Sequence, residues 1–216
     1  MRRALTAFVL AAAALAACSP PKYVSYTSIR RDWRCHVPWG WNVVTDEEGD
    51  HYLATDFLGA FDPDFFLGLP SLSVRWYSYS VPHRLRDGSL ELYASADDFI
   101  RQTLSSVYGP SATMVQPVHD VTLSGGRAAK HFVVLAPAPV PGGSRWGTSR
   151  DAATGALVNL RQHAYVVLAL SRGFYVLTYP ATRDGYKTYE RRFNELVNTF
   201  TPLSDGPSGQ PLAAGR

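Results

Sequence analysis

The chain has 216 residues, 46% of them hydrophobic and 12% aromatic, and its 21 basic residues against 18 acidic give a formal net charge of +3. A nucleic-acid binder gathers its positive charge into a basic patch or stripe, and so small an excess argues against that class. The length suits one hydrophobic core better than two.

The chain opens on Arg2 and Arg3 and continues in an apolar run from Leu5 to Ala17 broken only by Thr6. This is the form of an export signal, and it is too short for a permanent membrane span. Leu15-Ala16-Ala17 then leads directly into Cys18, and this stretch resembles the lipobox of bacterial lipoproteins. The resemblance implies a signal peptide over residues 1–17 and a diacylglyceryl group on the Cys18 thiol, with Cys18 as the new N-terminus. Ser19-Pro20-Pro21 suits the flexible tether, residues 18–25, that a lipid-anchored domain requires. An ordinary signal peptide with a cysteine near its cut is the competing reading. Several acyl chains hold a protein firmly, because each buried methylene is worth about 0.8 kcal/mol and one chain alone is marginal. By resemblance to Gram-negative lipoproteins, Ser19 in place of Asp would permit sorting to the outer membrane, facing the periplasm, in a Gram-negative cell. Loss of Arg2 and Arg3 leaves 19 basic residues against 18 acidic, a net charge of +1. With Cys18 lipidated, Cys35 has no partner for an internal disulfide, and it is expected as a small buried hydrophobe.

One domain is expected over residues 26–203. Leu72, Val74 and Trp76 alternate with Ser73, Arg75 and Tyr77 as in a strand. Ser95, with Asp98 three residues on, caps a helix whose buried face is Ala96, Phe99, Ile100, Leu104 and Val107, and Gly109-Pro110 stops it. Gly125-Gly126 forms a tight turn between Val121-Thr122-Leu123 and His131 to Leu135. Ala164 to Leu170 is unbroken apolar, and Ser171-Arg172-Gly173 turns it into Phe174 to Tyr179; strands covered on both faces read this way. From about Asp184 to Phe200, a stripe of Tyr186, Tyr189, Phe193, Leu196, Val197 and Phe200 marks a second amphipathic helix. The tail 204–216, rich in Gly, Pro and Ser, is expected to be disordered.

Val37-Pro38-Trp39-Gly40-Trp41, the capped central helix, the glycine hairpin, Ala164 to Leu170 followed by Gly173-Phe174-Tyr175-Val176-Leu177, and the aromatic final helix together resemble the PsbP-like (Mog/PsbP-type) domain family. The resemblance implies an α+β fold, an α/β/α sandwich with a central antiparallel sheet and helices on its faces. It also implies a binding or assembly module with no shared catalytic constellation, and it transfers no functional residue to this chain.

Chemistry is weakly signalled. Gly142-Gly143-Ser144-Arg145-Trp146-Gly147 misses the Gly-x-Ser-x-Gly spacing of a hydrolase nucleophile. No Walker loop or dinucleotide fingerprint occurs, and no cofactor is expected. Asp46-Glu47-Glu48-Gly49-Asp50-His51 is dense in metal-ligating types, but consecutive side chains diverge. His36, His83, His119, His131 and His163 lack zinc spacing. Two long connections are better candidates, because binding residues concentrate on loops held by rigid scaffolds. One carries Phe61, Phe65 and Phe66 among turn residues, where the rings either plug the core edge or present a surface. The other, Pro137 to Gly155, sets Arg145, Trp146 and Arg150 among Pro, Gly and Ser, as a recognition loop or as a disordered connection. The sequence therefore predicts a membrane-tethered, non-enzymatic envelope lipoprotein that binds a protein partner or aids assembly. Its alternatives are a pocket for a small ligand or envelope glycan and, third, an enzyme. A pocket of converging polar groups favours the first alternative and an exposed aromatic patch the leading reading.

Overall fold

The computed structural model describes residues 21–46, 53–84, 88–140, 146–151 and 154–207. Cys18, the stretch from Glu47 to His51, and residues 142–145, including Ser144 and Arg145, lie outside these.

The chain begins with a hairpin of β1 (Tyr23–Thr27) and β2 (Trp33–Pro38), so three residues assigned to the tether already belong to a strand. β3 (Asn42–Asp46), β4 (Leu53–Leu58) and β5 (Ser71–Ser78) follow, then the short pair β6 (His83–Arg84) and β7 (Leu90–Glu91). Next come α1 (Ala96–Gln102), the long hairpin of β8 (Thr113–Thr122) and β9 (Ala128–Pro139), and β10 (Ser149–Arg150). A second long hairpin of β11 (Leu157–Ala169) and β12 (Gly173–Thr182) precedes α2 (Tyr186–Thr199) and β13 (Thr201–Pro202). Among the described residues, the main antiparallel sheet is ordered β3-β4-β5-β12-β11-β9-β8 with β10 beside β11, and β1-β2-β13 form a smaller sheet.

Alternation along the two central strands fills both faces. Ala164, Val166 and Leu168 of β11 with Tyr175, Leu177 and Tyr179 of β12 point to one core, closed by Phe193 and Leu196 of α2 and by Trp33, Cys35 and Val37 of β2. Tyr165 and Val167 with Phe174 and Val176 point to the other, under Ala96, Phe99 and Ile100 of α1. The expected α+β sandwich is the observed architecture, and the helix stripe from Tyr186 to Phe200 packs as read. Cys35 is buried, and desolvation raises its thiol pKa far above the usual range. Among the described residues no helix is long and apolar enough to cross a membrane.

The first helix departs from expectation at its end. Ser95 caps it through the Asp98 amide, but from Thr103 to Tyr108 the turns widen to π form, and the Gly109 amide bonds back to the Leu104 carbonyl. One extra residue per turn rotates the buried face. Val107, expected inside, is 55% exposed, and Tyr108 is buried in its place.

One buried carboxylate ties the smaller sheet to the main one. Asp32, in the β1–β2 turn, accepts hydrogen bonds from the Ser28 hydroxyl and, at 2.7 Å, from the Tyr175 hydroxyl of β12. Its carbonyl accepts the Leu203 amide just past β13. The chain stays packed beyond Leu203: Gly206 and Pro207 are buried, with Gly206 against the Trp76 indole. The first four residues of the expected tail are thus part of the fold, with Ser204 and Asp205 hydrogen-bonded and Gly206 so close to the ring that a Cβ would lie 2.4 Å from it. Removing an acceptor from buried donors costs about 1–3 kcal/mol for each. Asp32→Ala is expected to lower unfolding stability by about 3 kcal/mol in urea titration, and adding Tyr175→Phe should restore part of the loss; a shift under about 1 kcal/mol would show that Asp32 is no tie.

Candidate functional site

The two long connections, separate in sequence, meet in space. The β4–β5 loop is anchored at Phe65, which is fully buried between the rings of Tyr179 and Tyr189 at 6.3 and 5.2 Å. The Thr182 hydroxyl donates to the Asp64 carbonyl and accepts the Gly185 amide, tying the loop to the start of α2. The Gly147 amide donates to the Pro63 carbonyl at 2.9 Å. Gly147 has a φ of +62°, and a Cβ there would come within 2.5 Å of the Phe66 backbone nitrogen. Only glycine lets the loops approach this closely.

On this base Phe61 and Trp146 pack edge to face, centroids 5.1 Å apart, and remain 60% and 43% exposed. Phe61 also covers Gly68, and the neighbouring Leu67 and Leu69 are exposed. Leu67 holds φ +59°, a left-handed conformation that costs a branched residue about 1 kcal/mol or more. The three phenylalanines divide: Phe65 plugs the core, Phe61 forms the outer rim, and Phe66 turns to the other side of the loop. Arg150 makes a local bond instead, its guanidinium donating to the Gly155 carbonyl at 3.0 Å.

Behind this rim lies a cleft in the α1 face of the main sheet. Its two adjoining hollows, about 480 and 470 Å³, share Leu58, Ser71, His163 and Pro180. The cleft exists because α1 and its widened end stop at Tyr108. Asn159, Arg161 and His163, at alternate positions of β11, line it, with Arg161 and His163 held against the last residues of the widened turn, Val107 and Tyr108. The Tyr108 hydroxyl lies 2.6 Å from both His163 Nδ1 and the Tyr165 hydroxyl. Burial, with the Arg161 guanidinium second, pushes the His163 imidazole down to about 3, so the ring is neutral at physiological pH. Burial also raises the Tyr108 hydroxyl, with Tyr165 adding to the effect. The sequence reading missed Asn159 and Arg161. Their one visible signal was a polar residue at every second position, leading into the apolar run.

Other histidines serve elsewhere. His36 pairs with Glu195 at 3.1 Å, and His119 and His131 meet across the β8–β9 hairpin. Among the described residues no three His, Cys, Asp or Glu side chains converge as a metal site.

No family model and no curated protein matches this sequence. In structure the chain is similar to cyanobacterial PsbP (CyanoP) from Synechocystis sp. PCC 6803, with a TM-score of 0.51 and 13% identity over 86% of this chain and 95% of that one. It also aligns with the Ran-binding protein Mog1p of Saccharomyces cerevisiae at a TM-score of 0.43 and 11% identity, over 84% and 96% of the two chains. The first of these is a likeness of fold.

Two measurements check this geometry. Gly147→Ala is expected to cost more stability than Gly125→Ala, which meets open space at its turn and carries only the left-handed penalty of about 1–2 kcal/mol. For His163 the folded state disfavours the proton, so its contribution is complete above the unfolded pKa of about 6.5 and is lost as pH falls toward 3. Urea midpoints of the wild type should therefore fall more than those of His163→Gln between pH 7.5 and pH 5; equal falls would show that His163 is not held neutral.

Proposed function

We propose that this chain is a lipid-tethered, non-enzymatic module of the bacterial envelope that docks a protein partner on the rim formed by Phe61, Leu67, Leu69 and Trp146. The observation that carries the reading is the Phe61–Trp146 pair: two aromatic rings fixed by the Gly147–Pro63 contact and still largely exposed. A contiguous exposed apolar patch on a rigid base is characteristic of an interaction surface. The strained Leu67 backbone adds an aliphatic side chain to the same patch. The partner is expected to present apolar side chains to this rim, with aromatic anchors worth about 2 kcal/mol or more on truncation. The tether rests on the sequence around Cys18, and the outer-membrane, periplasm-facing location on Ser19. A lipid anchor raises the effective concentration of other envelope proteins, so a weak docking contact suffices.

A second reading, capture of a small ligand or glycan, is favoured by the polar floor of the cleft.

A photo-activatable residue replacing Trp146 in envelope membranes is expected to give one discrete cross-linked partner. The same residue at Gly126, on the turn of the β8–β9 hairpin, should give none, and Phe61→Ser should abolish the adduct without lowering the melting temperature. Equal adducts from both positions, or one indifferent to Phe61, would exclude docking on the rim. Cys18→Ser should remove lipid labelling and release the protein from membranes; retention unchanged would exclude the anchor.

A further inference from the structure

We infer that the hollow walled by Asn159, Arg161 and Phe66 binds a small organic carboxylate that also carries an N–H or O–H donor on an apolar body, an N-acyl amino acid being the simplest member of the class. The inference rests on the small-ligand reading and not on docking at the rim, although Leu67 and Leu69 border both.

Three observations converge. First, Arg161 is a fixed and unneutralised cation. Its guanidinium lies 4.9 Å from the centroid of the Tyr108 ring, and one terminal nitrogen donates to the Val107 carbonyl at 3.4 Å. Its Nε is buried without a partner. Among the described residues no carboxylate pairs with it, and no Asp or Glu lines this hollow. A guanidinium offers five donors in a fork that matches a carboxylate, and here most of them are unused.

Second, Asn159 is 5% exposed, and its side-chain oxygen has no hydrogen-bond partner. A buried amide oxygen left unpaired carries the full desolvation cost. It stands two residues from Arg161 on the same face of β11, and both residues line the hollow. The oxygen calls for a donor, which a plain fatty acid lacks.

Third, the remaining walls are mostly apolar, including Leu58, Phe66, Leu69 and Pro139. A volume of about 480 Å³ falls in the usual small-molecule range of about 300–1,000 Å³. A phosphate dianion fits poorly, because one guanidinium on apolar walls leaves most of its charge unmatched.

The test is equilibrium dialysis of the full-length protein against N-acetyl-L-leucine, N-acetyl-L-leucinamide and N-acetylglucosamine. Saturable one-site binding of the acid is expected, at least tenfold tighter than the amide. Arg161→Met should erase that preference, whereas Ile29→Ser, on the exposed β1–β2 turn away from the hollow, should leave it unchanged. Because the acid and amide are compared on the wild type, a poorly folding variant does not obscure the result. Equal binding of acid and amide, or no saturation, would overturn the carboxylate assignment. Saturable N-acetylglucosamine with no binding of the acid would overturn it and leave a glycan site standing; no binding of any of the three would remove the small-ligand reading as well.

Discussion

A sheet whose central strands are apolar on both faces must be covered twice, and this chain covers its two faces unequally. One face receives α2 of fourteen residues together with the β1-β2-β13 sheet. The other receives α1 of seven residues, a π-form extension and the short β6-β7 pair. Where cover ends, the strand faces turn polar, because bare apolar positions beside water would lose the gain from burial. The cleft follows from this shortfall. The π-form turns place its edge: by bringing Tyr108 inward in place of Val107, they set a hydroxyl between His163 and Tyr165 at the line where core becomes cleft.

Two sets of buried polar groups in the fold behave oppositely. Around Asp32, the Ser28 and Tyr175 hydroxyls each have an acceptor, and the carboxylate is used on both oxygens. A network satisfied in this way fixes an arrangement, here the attachment of the smaller sheet to β12. Around Asn159 and Arg161, an amide oxygen and a guanidinium nitrogen are withdrawn from solvent with no partner. A fold selected for stability alone has reason to complete or remove such groups. Both residues line the hollow, which is the ground for reading them as ligand-binding groups.

Much of the architecture was legible because period and burial agree. In β11 and β12 the residues from Ala164 to Leu168 and from Phe174 to Leu177 alternate between the two cores, so the unbroken pattern stated the double cover outright. In α2 the aromatic stripe had a single possible face. The end of α1 was not legible, since a π turn differs from an α turn by one residue and no side chain in Thr103 to Tyr108 announces it. The site was half legible. Phe61 and Trp146 were conspicuous as large rings among turn residues, but their contact depends on Gly147 reaching Pro63, a pairing between residues more than eighty apart. Phe65 could not be told from Phe61 by type. Their fates separate only through the Tyr179 and Tyr189 rings, contributed from the far end of the chain.

The start of β1 at Tyr23 bears on how the rim and cleft would be used. If Cys18 carries lipid, only residues 19–22 separate it from the first strand, and four residues span at most about 14 Å. So short a link holds the domain close to the bilayer and narrows the orientations it can adopt, whereas a long linker would let it sample them freely. Restricted orientation helps one surface and handicaps others: a rim facing along or away from the membrane meets neighbouring envelope proteins on almost every encounter, and one facing the headgroups meets none. Rim and cleft share the β4–β5 loop, with Phe61 on its outer side and Phe66 on its inner. Any movement of that loop imposed by a docked partner therefore reaches the wall of the hollow directly. If both proposed sites are used, occupancy of one would be linked to affinity at the other, and by thermodynamic reciprocity the effect would run equally in both directions.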